Sequence, residues 1–106
     1  MKQNSNKTCE RVAVRALPAW IFIDAVRYCI GRQSYQVGVT TEWVCANWKH
    51  LPEYSQLIIK QDIEEAFERD DRMRADENCS SHYYPLGQDM DRKRWENVRA
   101  LWRANE

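Results

Sequence analysis

Arginine and tyrosine side chains gather at two places in the sequence, and this combination is typical of binding sites for planar or anionic ligands. The first group surrounds the end of a predicted helix and comprises Arg27, Tyr28, Arg32 and Tyr35. Guanidinium groups stacked on aromatic rings hold bases, nucleotides and carboxylate-bearing partners. We therefore predict that these four residues bind a ligand. The alternative is a structural cluster in which Asp24 pairs with Arg27.

A second group with similar chemistry lies in and after a predicted loop near the C-terminus. Its members are aromatic or basic: His82, Tyr83, Tyr84, Arg92, Arg94 and Trp95. We predict that Tyr83, Tyr84 and Trp95 contribute to the same ligand-binding surface, because large rings make good binding anchors.

Carboxylates define a different candidate surface on the third predicted helix. Glu64, Glu65, Glu68 and Asp71 predict an acidic surface for a basic protein partner. Asp70 falls at the edge of the apolar stripe, where a buried carboxylate needs an arginine. A metal-dependent hydrolase acting through Asp70 and Asp71 is an alternative function. Such an enzyme usually draws its carboxylates from several elements rather than one helix.

Two cysteines and two histidines are four candidate ligands of types familiar from zinc sites: Cys45, His50, Cys79 and His82. Their spacing departs from that of structural zinc sites, so we predict no metal. With three glycines in the chain there is no Gly-rich phosphate loop, and no nucleophile elbow is present. The sequence thus predicts no catalytic residue and no cofactor, and favours a binding protein over an enzyme.

The elements that must position these residues form a mostly α fold, a compact bundle of about four helices. The chain has 106 residues, of which 43% are hydrophobic and 30% charged, as in a single globular domain. We predict a flexible N-terminal tail over residues 1–9 and one helical domain over residues 10–106. The first helix runs from Pro18 to Gly31, and its apolar residues on nearly every side predict a central position.

The other helices are predicted from their apolar periodicity and capping residues, at 40–50, 55–75 and 89–102. Val12 and Val14 alternate with polar residues, as do Tyr35, Val37 and Val39. This alternation predicts that the two segments pair as a short two-stranded ribbon.

Charge is balanced in total but not along the chain. There are 16 basic and 16 acidic residues. Residues 1–50 hold seven bases and three acids, whereas residues 51–77 hold four and nine. A near-neutral protein with separate basic and acidic segments is prone to self-association, so this charge pattern predicts a homo-oligomer. No secretory signal or membrane-spanning segment is recognisable, so the sequence predicts a cytoplasmic protein with no membrane partner.

Three segments of the sequence resemble segments of small uncharacterised proteins encoded by phages and prophages. They are residues 27–35 (RYCIGRQSY), residues 85–95 (PLGQDMDRKRW), and Trp43 with Asn47-Trp48 between them. The similarity covers about residues 18–102. Such accessory proteins are often counter-defence factors, which block a host immune protein or sequester a nucleotide signal. The resemblance implies this context, and places the protein in the host cytoplasm, without assigning an activity.

Taken together, these observations predict a non-enzymatic phage-encoded inhibitor of host immunity. It would sequester a nucleotide-like signal or block a defence protein. Besides the hydrolase, the second alternative to this inhibitor is a small nucleic-acid-binding regulator, since the last predicted helix is basic (Arg92, Lys93, Arg94, Arg99 and Arg103). The zero net charge makes nucleic acid a less favoured partner.

Overall fold

A computed structural model describes residues 18–32 and 35–104 of the chain. These residues form four α-helices: α1 (Ala19–Cys29), α2 (Tyr35–Asn47), α3 (Glu53–Ala75) and α4 (Asp89–Arg103). Short 3₁₀ turns follow α2 at Trp48–His50 and precede α4 at Ser81–Tyr83. The mostly helical class predicted from the sequence is therefore confirmed. The predicted tail over residues 1–9 and the start of the 10–106 domain lie outside the described residues.

The helices pack in two antiparallel pairs around one core. α1 contacts α2 and α3, and α4 contacts the same two helices. Phe22 of α1 packs on Trp43 of α2 with ring centroids 4.5 Å apart, and Trp48 packs on Trp102 of α4 at 5.4 Å. We call the end of the bundle at which α1 and α3 end and α2 and α4 begin the loop end.

The predicted ribbon is wrong in its second strand, because residues 35–39 belong to helix α2. In the helical register Val37, Thr41 and Val44 share the buried face, so burial favours the helix over the extended alternation. Gly38 lies within this helix, and a Cβ there would meet the Arg94 guanidinium at 3.3 Å. The glycine thus allows α4 to approach α2 closely. Residues 10–14, the other predicted strand, lie outside the described residues.

Helix α1 has the predicted position in the sequence but not the predicted central place in the bundle. Pro18 precedes its first residue, and Gly31 follows its end with a φ of +87°, a left-handed conformation that glycine adopts readily. Its buried face consists of Phe22, Ile23, Val26 and Cys29. The opposite face is open to solvent, which the apolar composition did not predict.

Candidate functional site

The two predicted Arg/Tyr groups approach each other at the loop end. The backbone N–H of Gly31 donates a 2.7 Å hydrogen bond to the carbonyl of Pro85. This bond fixes the end of α1 against the segment that leads into α4. Two segments more than fifty residues apart in the sequence therefore meet at one end of the molecule.

Tyr28 and Arg32 form a stacked pair on the surface beside this junction. Tyr28 is 52% exposed, and the Arg32 guanidinium carbon lies 4.1 Å from the centroid of its ring. Arg32 also donates a hydrogen bond of 2.5 Å to the Tyr28 carbonyl. Within residues 18–32 and 35–104, no carboxylate pairs with Arg32. The pair therefore exposes a guanidinium group without a paired carboxylate and part of an aromatic ring, and a partner could contact both. The Tyr35 side chain is outside the described residues.

Arg27 does not join this pair, because it faces α3. Its Nε donates to Asp62 Oδ2 at 2.7 Å. This hydrogen bond, with the negative charge of Asp62, raises the pKa of Arg27 above its ordinary value. Arg27 thus pairs directly with Asp62, an acid that sequence reasoning did not single out, and Asp24 adds a smaller charge interaction.

The second predicted group divides between surface and core. Tyr83 is 69% exposed, whereas Tyr84 is half-buried with the Arg74 guanidinium 4.6 Å from its ring. Trp95 is a core residue, enclosed with Val98 and Trp102 on the buried face of α4. Its ring is therefore not available at the surface, contrary to the ligand-binding role predicted for it.

A buried carboxylate holds the loop end together. Asp70 of α3 is fully buried, and its carboxylate accepts hydrogen bonds from Arg74 at 2.5 Å, from Arg92, and from the Leu86 N–H at 3.1 Å. Arg74 also donates to the Gly87 carbonyl at 2.5 Å. Asp70 thus connects α3 to α4 and to residues 84–87. The sequence predicted that a buried carboxylate at this position would pair with an arginine, and Asp70 pairs with two.

Arg92 completes this network on the α4 side. It also contacts Asp71 at 2.8 Å and Glu96 at 3.6 Å. Partial burial opposes the charge of its guanidinium, but the hydrogen bonds to Asp70 and Asp71 outweigh this effect and raise the pKa of Arg92. Since Oδ2 of Asp70 accepts from Arg74 and Arg92 and Oδ1 accepts from the Leu86 N–H, a divalent cation would have to displace these donors. The geometry accordingly disfavours hydrolysis through Asp70 and Asp71.

Two of the predicted acidic partner-binding residues are likewise engaged by arginine. Glu64 accepts two hydrogen bonds from Arg103 Nη2, at 3.0 and 2.9 Å, and lies 3.8 Å from Arg99. Asp71 forms the ion pair with Arg92 described above. Glu65 and Glu68 remain exposed on α3. The acidic surface is therefore narrower than the sequence predicts.

The same ion pairs neutralise most of the basic helix. In α4, carboxylates pair with four of the five basic residues that were assigned to nucleic-acid binding: Arg92, Arg94, Arg99 and Arg103. A phosphate backbone would have to compete with these internal acids, so the geometry disfavours this helix as a nucleic-acid interface.

Several grooves lie between the helices, each open to solvent. One of about 380 Å³ runs between α1 and α2 and is mostly apolar, lined by Ala25, Tyr28, Cys29, Gln36, Val39 and Thr40. Another lies between α2 and α4 beside Arg94, Asn97 and Cys45. Burial raises the pKa of the Cys45 thiol, with a further contribution from the charge of Glu42. This thiol is therefore a poor nucleophile at neutral pH.

The residues that could hold a metal ion lie apart from one another in the described part of the chain. His50 follows α2 at the far end of the bundle from Cys79 and His82. Within residues 18–32 and 35–104, no three His, Cys, Asp or Glu side chains converge as a metal ion would require. Nor does any helix among them combine the length and apolar character needed to cross a bilayer.

Sequence reasoning missed two surface residues, Trp20 and Met90. Trp20 is 60% exposed on α1 and Met90 is 74% exposed on α4. The signal for Met90 was its position outside the stripe formed by Trp95, Val98 and Trp102. No comparable signal marked Trp20, because apolar residues flank it on both sides in the sequence.

Comparisons with protein-family models, curated proteins and solved structures found no match.

Proposed function

We propose that this protein is a non-enzymatic binding protein that inhibits host immunity by occupying the surface of a defence protein. The observation that carries the proposal is the exposure of Tyr83 and Met90 on a segment held by buried hydrogen bonds. Tyrosine and methionine are enriched at protein interfaces, and exposed apolar groups of this size lose water favourably when a partner covers them. The anti-defence context rests on the resemblance to phage and prophage accessory proteins.

Rigidity of the segment is the second support. Leu86 and Gly87 are bound to Asp70 and Arg74, and the Gly87 N–H donates to the Tyr84 carbonyl at 3.0 Å. Residues between Tyr83 and Met90 are thereby fixed before any partner arrives. A preordered surface loses less conformational entropy on binding, so more of its contact energy contributes to affinity.

The open form of the grooves favours a protein over a nucleotide-like signal as the partner. Small-ligand sites usually enclose most of the ligand. The grooves among the described residues are open to solvent, and Arg27 is already paired with Asp62. Arg32 remains as a single cation stacked on Tyr28, which is less than the phosphate groups of a nucleotide usually require.

A plaque assay in cells that carry individual immune systems tests this function. Expression of the protein should restore plaquing of a phage that one of these systems restricts. The protein should then co-purify with a component of that system. Tyr83→Ala and Met90→Ala should each raise the Kd for the co-purified component by about tenfold or more, a loss of about 1.4 kcal/mol of binding, and should reduce the restored plaquing.

Matched controls separate the remaining versions of the proposal. Leu57→Ala removes an exposed apolar group on α3 and should leave plaquing unchanged. If the double variant Glu65→Lys/Glu68→Lys abolishes inhibition while Tyr83→Ala does not, the acidic surface binds the partner instead. Loss only in Arg32→Ala, with a nucleotide retained by the wild-type protein in native mass spectrometry, would indicate signal sequestration. Restriction unchanged by the protein for every system would contradict the proposal.

A further inference from the structure

The solvent-facing side of α1 and the residues that follow it carry two aromatic rings and two charges. Trp20, Asp24 and Tyr28 follow one another at four-residue intervals along α1, and Arg32 lies beyond the helix end, after Gly31. Trp20 and Tyr28 are both more than half exposed, and Val39 of α2 is exposed beside Tyr28. α1 thus presents Trp20 and Asp24 toward its start and Tyr28 toward its end, where Arg32 folds back over the Tyr28 ring.

Neither Asp24 nor Arg32 lies within ion-pair distance of an opposite charge in the described part of the chain, although the charge of Asp24 contributes to the raised pKa of Arg27. Arg27 lies between them in sequence but pairs with Asp62. Asp24 lies in the middle of α1, whereas Arg32 follows the end of that helix after the turn at Gly31, and no ion pair joins the two side chains. The Arg32 guanidinium instead lies back over the Tyr28 ring, 4.1 Å from its centroid. The acidic half of the face, with Trp20 and Asp24, is therefore complementary in charge to the basic half, with Tyr28 and Arg32.

We propose that this face binds a second copy of the same chain, with the two α1 helices antiparallel about a two-fold axis. An axis between the levels of Asp24 and Tyr28 brings Asp24 of each copy opposite the stacked Tyr28–Arg32 pair of the other. It also places each Trp20 at the edge of the apolar groove between α1 and α2. In such a two-fold dimer, the contact between Asp24 of one copy and the Tyr28–Arg32 pair of the other forms twice, as in any self-complementary surface.

Helix geometry and charge are both compatible with this pairing. Residues at four-residue intervals form a ridge, and ridges of this kind interdigitate when two helices cross. The formal net charge of the chain is zero, so two copies do not repel each other at long range. An interface formed mainly by an 11-residue helix is small. The dimer should accordingly be in concentration-dependent equilibrium with the monomer.

Sedimentation velocity of the full chain over a wide range of concentrations tests the inference. The wild-type protein should show a monomer–dimer equilibrium. Asp24→Arg and Arg32→Asp each place like charges opposite one another twice per dimer, so each should raise the dimer Kd by about tenfold or more. The double variant Asp24→Arg/Arg32→Asp restores opposite charges across the interface and should recover the dimer.

The double variant distinguishes the interface from a folding defect, because a misfolded single variant would not be repaired by a second charge reversal. Trp20→Ala should weaken the dimer without a charge change, and Leu57→Ala is the exposed control that should not. A wild-type protein that is monomeric at every concentration overturns the inference. So does a dimer that neither single reversal weakens, or a double variant that stays monomeric. The proposed function depends on Tyr83 and Met90 instead, and thus succeeds or fails independently.

Discussion

The Nε of Arg74 lies 2.5 Å from a carboxylate oxygen of Asp70, one turn earlier on α3, and Arg92 of α4 binds the same oxygen. This arrangement differs from a surface ion pair because Asp70 is fully buried and two cations share it. The remaining Asp70 oxygen accepts the Leu86 N–H. One carboxylate consequently determines how the segment before α4 lies against α3.

We expect Asp70→Ala to lower the free energy of unfolding by about 3–5 kcal/mol, because it removes the buried carboxylate that Arg74 and Arg92 share and leaves the Leu86 N–H without its acceptor. Urea denaturation followed by circular dichroism measures this loss. The adjacent Asp71 is a matched control, since its side chain is 62% exposed and bound to Arg92 alone. Asp71→Ala should cost less than about 1 kcal/mol. Equal losses for the two variants would contradict the assignment of Asp70 as the organising residue.

Two glycines with positive φ differ in what surrounds them, and this difference predicts unequal effects of alanine. Gly31 has a φ of +87°, and an added Cβ would have no neighbour within 4 Å, so Gly31→Ala should cost about 1–2 kcal/mol from backbone strain alone. At Gly87, with φ +74°, a Cβ would also meet the Asp91 Cβ at 3.0 Å. Gly87→Ala should therefore destabilise the protein more than Gly31→Ala in thermal melts. The reverse order would show that the contact with Asp91 relaxes freely.

Trp102 is the one buried side chain in the described part of the chain whose polar atom lacks a hydrogen-bond partner. An unsatisfied buried donor costs about 1–3 kcal/mol. Trp102→Phe removes that donor but also removes part of the packing against Trp48, and the two effects oppose each other. We expect a net change below about 1 kcal/mol in urea denaturation, against about 3–5 kcal/mol for Trp102→Ala. A phenylalanine variant as unstable as the alanine variant would indicate that the indole N–H is satisfied.

The sequence predicted the helices whose boundaries depend on local signals. Pro18 and Gly31 bracket α1, and the buried stripe of α3 from Ile59 to Phe67 has helical spacing. The start of α2 was misplaced because Tyr35, Val37 and Val39 alternate like a strand. The helical register there buries Val37, Thr41 and Val44 against the other helices, and local alternation does not encode this tertiary packing.

The candidate site was predictable to the extent that its chemistry is local. Arg32 stacks on Tyr28 because the turn at Gly31 brings the chain back beside the end of α1, and the glycine that permits this turn was recognised in the sequence. The pairing of Arg27 with Asp62 was not predictable in this way, because it requires the position of α3 relative to α1. Trp95 shows a conflict within the sequence itself. Its spacing to Val98 and Trp102 indicates a buried stripe, and that periodicity was a better guide than its proximity to basic residues.

Cys45 should react with iodoacetamide more slowly, and at higher pH, in the folded protein than after unfolding in urea. Burial raises the pKa of this thiol, and the charge of Glu42 raises it further. Because the thiolate is the nucleophile, a raised pKa moves the midpoint of the rate–pH profile upward. Peptide mass spectrometry of samples quenched across the pH range follows Cys45 separately from the other cysteines. Glu42→Gln should move the folded-state midpoint partly back, since it removes the smaller cause and leaves burial unchanged. Identical midpoints for folded and unfolded protein would show that the groove beside Arg94 and Asn97 does not desolvate the thiol.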